Sequence, residues 1–210
     1  TNTPHALAHN GFAARRAASE SCAKALGLTF LRDALPEDLS CAHHDEREAK
    51  EWRLELVDSS VNRSLTALEE REGPATFPRG WVRHAFHDMT LVGRASYLLK
   101  HADELGYRAF EEAGRIFTES FISMRDELRV SRPEIDTAVE ACLTHGALGA
   151  RIVGGGFGGA VMAPVKTSRL EETAQAIAQA YAEHGYAEPR FLPMVAGFPA
   201  DCDWLSENFR

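Results

Sequence analysis

Gly154-Gly155-Gly156-Phe157-Gly158-Gly159 places five glycines in six positions. Removing side chains lets a ligand approach the backbone closely, and glycine enters φ/ψ regions that other residues reach only at a cost. A run of exposed amides in such a loop makes a concave anion site suited to phosphate. The chemistry this segment offers is therefore recognition of a phosphate or a similarly charged group.

Gly154, Gly156 and Gly159 satisfy G-x-G-x-x-G, the dinucleotide-binding pattern. That reading needs a strand before the loop and a helix opening from it. Ala150 to Val153 is a plausible strand, but Ala160-Val161-Met162-Ala163-Pro164-Val165 continues as a second strand and ends at a proline. Helical character returns only near Ser168. The glycines join two strands, so the dinucleotide reading fails. A tight hairpin would need two or three glycines for positive φ. Five exceed that need, which favours a ligand-facing loop over a plain turn.

Other reactive side chains carry weaker signals. His84 and His87 share a helix face at i, i+3 and could join Asp88 or Glu112 around a metal. No second histidine pair completes a four-ligand set, so packing or surface histidines are the better reading. His43-His44-Asp45-Glu46 has ligand residue types in succession, but neighbours on a helix point in different directions; a solvated helix start fits better. Glu69-Glu70-Arg71-Glu72 reads as an exposed face. Trp52, Trp81 and Trp204 read as core or partner-domain contacts. Cys22, Cys41, Cys142 and Cys202 are scattered without a C-x-x-C pair. They read as free thiols of a reducing cytosol and give a cytoplasmic expectation.

Composition narrows the class. The 210 residues suit one large domain or one and a half small ones, with 44% hydrophobic and 26% charged residues. A net charge of −8 argues against nucleic acid as a partner. No apolar run reaches membrane-span length, and no signal peptide is read at the N-terminus. A chain that begins Thr1-Asn2-Thr3 is expected to have been cut from a longer one.

Periodicity supplies the elements that must carry the loop. Helices are expected over Asn10–Leu26 (ended by Gly27), from about His44 to Glu72, over Trp81–Lys100, and once or twice between Ala102 and Arg129. Ser131 is the expected N-cap of the next helix, with Glu134 as capping-box partner and Ile135, Val139 and Leu143 as its core face. Then follow strand, glycine loop, strand, a helix from Ser168 to His184, and a last strand near Arg190 to Val195. Helices first, then strand–loop–strand–helix–strand, argue for an α+β fold with an antiparallel sheet.

Three segments together resemble the C-terminal half of a galactokinase, in the GHMP superfamily of small-molecule kinases. The first runs from His5-Ala6-Leu7-Ala8 through Phe12 and Arg15-Arg16 to Glu20, Leu26-Gly27 and Leu31-Arg32-Asp33. The second is Glu119-Ser120-Phe121-Ile122-Ser123-Met124-Arg125-Asp126 with Val130-Ser131-Arg132-Pro133-Glu134-Ile135-Asp136. The third is Gly149-Ala150-Arg151-Ile152-Val153 leading into the glycine loop, similar to the superfamily's third motif.

The resemblance implies a ferredoxin-like α+β domain packed with several long helices. Residues 1–28 would form an inter-domain junction and 29–210 the C-terminal domain; the N-terminal ATP-binding domain would be absent. That domain, the natural partner of this one, would carry the main phosphate loop and the catalytic base, and would bind most of the ATP and Mg2+. No catalytic residue is then expected here, and the fragment alone should be inactive.

Carried over by position, Gly154 to Gly159 would face the sugar and the transferring phosphate, with Phe12 on the sugar-side wall. Arg151, Arg125 and Asp126 would be structural support, the last two as an ion pair. The implied substrate is galactose, phosphorylated at O1. Phe12, Val153 and Phe121 stand where the family usually has tyrosine, threonine and histidine. These losses of polar groups keep open a non-catalytic sugar sensor or regulator, and a kinase for a related sugar. An isolated domain is also expected to self-associate through its uncovered face.

Overall fold

The computed structural model describes residues 1–3, 11–25, 27–34, 70 and 78–194. The expected helix from His44 to about Glu72 lies outside these residues, apart from Glu70, which is helical and exposed. His43-His44-Asp45-Glu46, Trp52, Trp204, Cys41 and Cys202 also lie outside them.

Helix α1 covers Gly11–Ala25, and Gly27 ends it at φ +73° with Leu28 N–H returning to Ala23 O. Helix α2 covers Pro78–Lys100. Pro78 suits a first-turn position because no intrahelical partner is available to an amide there. Cys22 and Ala23 of α1 pack with Trp81, Val82 and Phe86 of α2 and with Leu31. Leu31 belongs to a short 3-10 turn over Leu31–Ala34.

A one-turn helix α3 (Ala102–Leu105) and the long α4 (Tyr107–Asp126) follow, separated by Gly106 at φ +65°. Gly114 lies inside α4 and is buried. Leu91 and Ala95 of α2 meet Ile116 of α4 in a small second core.

Helix α5 covers Pro133–Thr144. Its N-cap is Arg132, which makes no side-chain capping bond, so the Ser131–Glu134 capping box does not form. Ser131 Oγ instead donates to Asp136 Oδ1 at 2.5 Å. The carboxylate is the stronger acceptor and diverts the hydroxyl from the backbone. The core face of α5 is Ile135, Ala138, Val139, Ala141 and Cys142. Leu143 is exposed, because it falls beyond the edge of the helical arc that these five residues define.

Strands β1 (Arg151–Val153) and β2 (Ala160–Met162) pair antiparallel, with Arg151 opposite Met162, Ile152 opposite Val161 and Val153 opposite Ala160. Alternation along β1 turns Ile152 into the core and Val153 outward. After a 3-10 turn over Thr167–Arg169, helix α6 (Leu170–His184) packs on α5 and adds Ile177 and Tyr181 to the main core. Gly185 ends it in the left-handed region.

The expected strand near Arg190 to Val195 does not form over 190–194, and Val195 lies outside the described residues. Pro193 supplies no ladder donor. Leu192 and Met194 are 83% and 86% exposed there. Among the described residues the sheet has two strands, and the whole is a helix-rich α+β fold.

Two glycines fix how β1 meets α4. A Cβ on Gly149 would sit 1.7 Å from Gly114 O, and one on Gly114 would sit 2.4 Å from Leu148 O. Main chain therefore touches main chain at this crossing. Ala150 N–H also donates to Thr118 Oγ1 at 3.3 Å, just before β1 begins.

Candidate functional site

The glycine loop spans the hairpin between β1 and β2 and divides into two halves. Gly154 and Gly155 are exposed, whereas Gly156 and Gly158 are buried and Phe157 and Gly159 are half-buried. The buried half is held by specific contacts. Phe157 N–H donates to Val130 O at 2.7 Å, and Gly159 N–H donates to Thr3 O at 3.2 Å. Gly156 lies over Val130, where a Cβ would come within 2.6 Å of the valine Cβ.

Backbone angles account for most of the glycines. Gly154, Gly156, Gly158 and Gly159 have φ of +80°, +77°, +130° and +83°. Phe157 itself sits at +59°, a conformation costly for a bulky residue and sustained here by its bond to Val130. Gly155 stands outside the positive-φ set and is exposed. A positive φ therefore does not account for its missing side chain. The stretch that can present bare backbone to a ligand is Gly154-Gly155, and the following residues anchor it.

Arg151 is the first residue of β1, just before the loop. Its guanidinium donates to Ile152 O at 3.3 Å, approaches Met124 Sδ at 3.8 Å and lies 4.0 Å from Asp88 Oδ2. Arg125 and Asp126 form a bidentate pair of 2.7 and 3.0 Å at the end of α4. The hydrogen bond from Arg125 holds the Asp126 carboxyl below its ordinary range. Both side chains are largely exposed, and Arg125 also lies over the Phe121 ring.

A polar seam between α2 and α4 escaped the sequence reading. Ser120 and Ser123 are almost fully buried on α4. Ser120 donates to Asp88, and Ser123 Oγ donates to Glu127 Oε2 at 2.8 Å while bonding His84 Nδ1 at 3.0 Å. The serine has one hydroxyl proton, and it goes to the carboxylate. His84 therefore carries its proton on Nδ1 and donates to Ser123. Burial lowers the pKa of His84, partly offset by Asp88 and Glu127, so the neutral ring is favoured.

His87 Nε2 meets Glu119 Oε1 at 2.7 Å, and Arg94 reaches Glu119 Oε2 at 3.6 Å. The two histidines thus serve different bonds, and among the described residues no group of three or more His, Cys, Asp or Glu side chains could hold a metal. The i, i+4 pair His84/Asp88 and the i, i+3 pair Ser120/Ser123 each share a helix face, but nothing in the sequence shows that the two pairs face one another.

Residues 83–187 match the family model described as GHMP kinases C terminal. This stretch contains α4, α5, the hairpin with its glycine loop, and α6. The chain belongs to the GHMP kinase C-terminal family.

Galactokinases are among its relatives. That of Streptomyces coelicolor is 31% identical over 195 residues, covering 93% of this chain and 42% of the relative. That of Mycobacterium tuberculosis H37Rv is 35% identical over 144 residues, 69% of this chain and 38% of the relative. The Bos taurus enzyme is 32% identical, with 89% and 39% covered. This chain therefore spans less than half of each relative. Lactococcus lactis galactokinase, solved in complex with galactose, matches its fold with a TM-score of 0.57 at 22% identity, over 88% of this chain and 41% of that one.

Within this GHMP kinase domain the three apolar departures are not equivalent. Phe121 is only 3% exposed and belongs to the main core, so its ring fills a packing position. Val153 is 47% exposed immediately before Gly154, at the mouth of the loop. Phe12 lies in α1, and its side chain falls outside what is described.

Proposed function

We propose that the complete protein is an ATP-dependent sugar kinase of the galactokinase type, transferring the γ-phosphoryl group of ATP to O1 of galactose. The observation that carries this reading is the hairpin loop itself. Bare backbone at Gly154-Gly155 is presented on a main-chain scaffold within a domain whose relatives are galactokinases. Phosphoryl transfer depends on positioning and charge stabilisation more than on covalent participation by protein groups. A rigid backbone wall suits that task. In this proposal the wall faces the sugar and the transferring phosphate, with α1 and Phe12 on the sugar side. Arg151 and the Arg125–Asp126 pair are support.

ATP and Mg2+ belong to the same proposal. Magnesium would neutralise phosphate charge during transfer. Both are proposed to be bound mainly by the N-terminal domain. Residues 1–28 are proposed as a junction, with 29–210 as the domain proper; the partner is an N-terminal kinase domain, and this chain alone is inactive. The proposed compartment is the cytoplasm; among the described residues no helix is long and apolar enough to cross a membrane.

An ATP-consumption assay of the complete gene product across a sugar panel tests the reading. Turnover with galactose is expected. Sugar binding without turnover of any hexose would replace it with the sensor reading, which the exposed Val153 at the loop mouth favours. Turnover with another sugar alone would move the substrate but keep the enzyme class. Self-association of the isolated chain is part of the proposal, because Leu192 and Met194 lie open. Sedimentation analysis of the 210-residue chain should show species larger than monomer.

A further inference from the structure

We infer that Val130, in the turn after α4, is a positioning residue that sets how the glycine loop presents Gly154 and Gly155; the inference deepens the proposed kinase function and rests on that reading for its catalytic consequence. The turn is held from both sides. Glu127 and Leu128 N–H both donate to Ser123 O at 3.0 and 3.1 Å, and Val130 N–H donates to Met124 O at 3.1 Å. Arg129 takes φ +56° to close it. Val130 is thereby fixed to the end of α4 at its own amide, while its carbonyl accepts the Phe157 N–H at 2.7 Å.

The side chain completes the clamp. A Cβ on Gly156 would meet Val130 O at 2.5 Å, Val130 Cβ at 2.6 Å and Val130 Cγ2 at 2.8 Å. Val130 is 2% exposed and lies against the main core. A β-branched side chain has few χ1 options, so the surface under Gly156 is stiff. Gly156 and Phe157 are therefore seated on Val130 through a backbone bond and a close contact, while Gly159 is held separately by Thr1 and Thr3. The exposed half, two residues earlier, inherits its position. The chain of bonds runs on to Ser123, whose hydroxyl joins His84 and Glu127.

Val130→Ala, Val130→Thr and a control, Val139→Ala, test the inference. Val139 is equally buried in the same core but lies on α5 away from the clamp contacts. In the 210-residue chain, Val130→Ala should speed amide exchange at Phe157 by about tenfold and shift the Gly154 and Gly155 amide resonances. Val139→Ala should lower Tm comparably without those changes, and Val130→Thr, which keeps the branched shape, should restore protection at Phe157.

In the complete gene product, below the melting range of all variants, Val130→Ala should lower kcat about tenfold, with KM for ATP little changed and Val139→Ala near wild type. Equal behaviour of Val130→Ala and Val139→Ala in exchange would overturn the clamp. Lost protection with unchanged kcat would overturn its catalytic role. If the wild-type protein turns over no sugar, the kinase reading and this catalytic role fall together, while amide exchange still decides whether the clamp exists.

Discussion

Tyr181 on α6 donates its hydroxyl proton to the main-chain carbonyl of Glu134 in the first turn of α5. The two helices pack against each other, and this bond ties their ends together. Burial pushes the phenol pKa upward, so the proton stays in place through the neutral range. The Tyr181 ring also meets Tyr186 edge-on at 5.5 Å.

Replacing Tyr181 with phenylalanine keeps the ring contact and removes only the bond. The expected loss is about 1 kcal/mol, read as a shift of the urea midpoint without a change of m. A loss several times larger would mean that the ring has moved as well.

His84 makes stability depend on pH in a defined direction. Its unfolded-state pKa is near the ordinary 6.5, and burial holds the folded-state value lower. As pH falls below 6.5, the unfolded chain binds more protons than the folded one, so stability falls. The loss continues until the folded-state value is passed. Asp88 and Glu127 oppose this shift, while His87 and Arg151 reinforce it. His84→Asn can still donate to Ser123 and should flatten this acid slope; urea titrations at several pH values would show it.

Asp88 and Asp126 both sit beside arginines, yet their removal should differ. Asp88→Ala leaves the buried Ser120 hydroxyl without its acceptor and takes the carboxylate from Arg151, costing about 1–3 kcal/mol. The Arg125–Asp126 pair is solvent-exposed, so Asp126→Ala should cost under about 1 kcal/mol, and less in high salt. Equal losses would place the Arg125–Asp126 pair in a larger structural role.

Gly154 and Gly155 should respond differently to alanine. Gly154 has open space around a would-be Cβ but a φ of +80°, so Gly154→Ala strains the backbone and should lower Tm. Gly155 carries no such φ and is exposed. Gly155→Ala should leave Tm near wild type while reducing sugar-kinase turnover of the complete protein about tenfold or more. Unchanged turnover would remove Gly155 from the ligand-facing surface.

Much of this arrangement was legible from residue patterns. Gly27 marked a helix end because glycine relieves the steric cost of positive φ, and the apolar runs on either side of the glycine loop marked two strands. The seam of Ser120, Ser123, His84 and Asp88 was not legible, since serine is neutral to any hydrophobic period and its partners are on another helix. Ser131 misled for a related reason: a capping hydroxyl and a hydroxyl captured by Asp136 look alike in sequence. The 190–194 segment has strand-like residue types, but pairing depends on a neighbour that local composition does not reveal.

The division of labour within the glycine run depended equally on distant chain. The loop advertised itself by composition, but its anchoring half is held by distant residues, Val130 under Gly156 and Phe157 and Thr3 beside Gly159. Nothing in the run itself separates Gly155 from Gly156; the partner beneath them does.

The crossing of Gly114 and Gly149 has a consequence for engineering. Where two backbones touch directly, no rotamer is available to absorb a misfit, so the crossing behaves like a machined joint with little tolerance. A graft of the hairpin alone onto another scaffold would lose that datum. The smallest transplantable unit is the hairpin together with α4 and the turn that follows it.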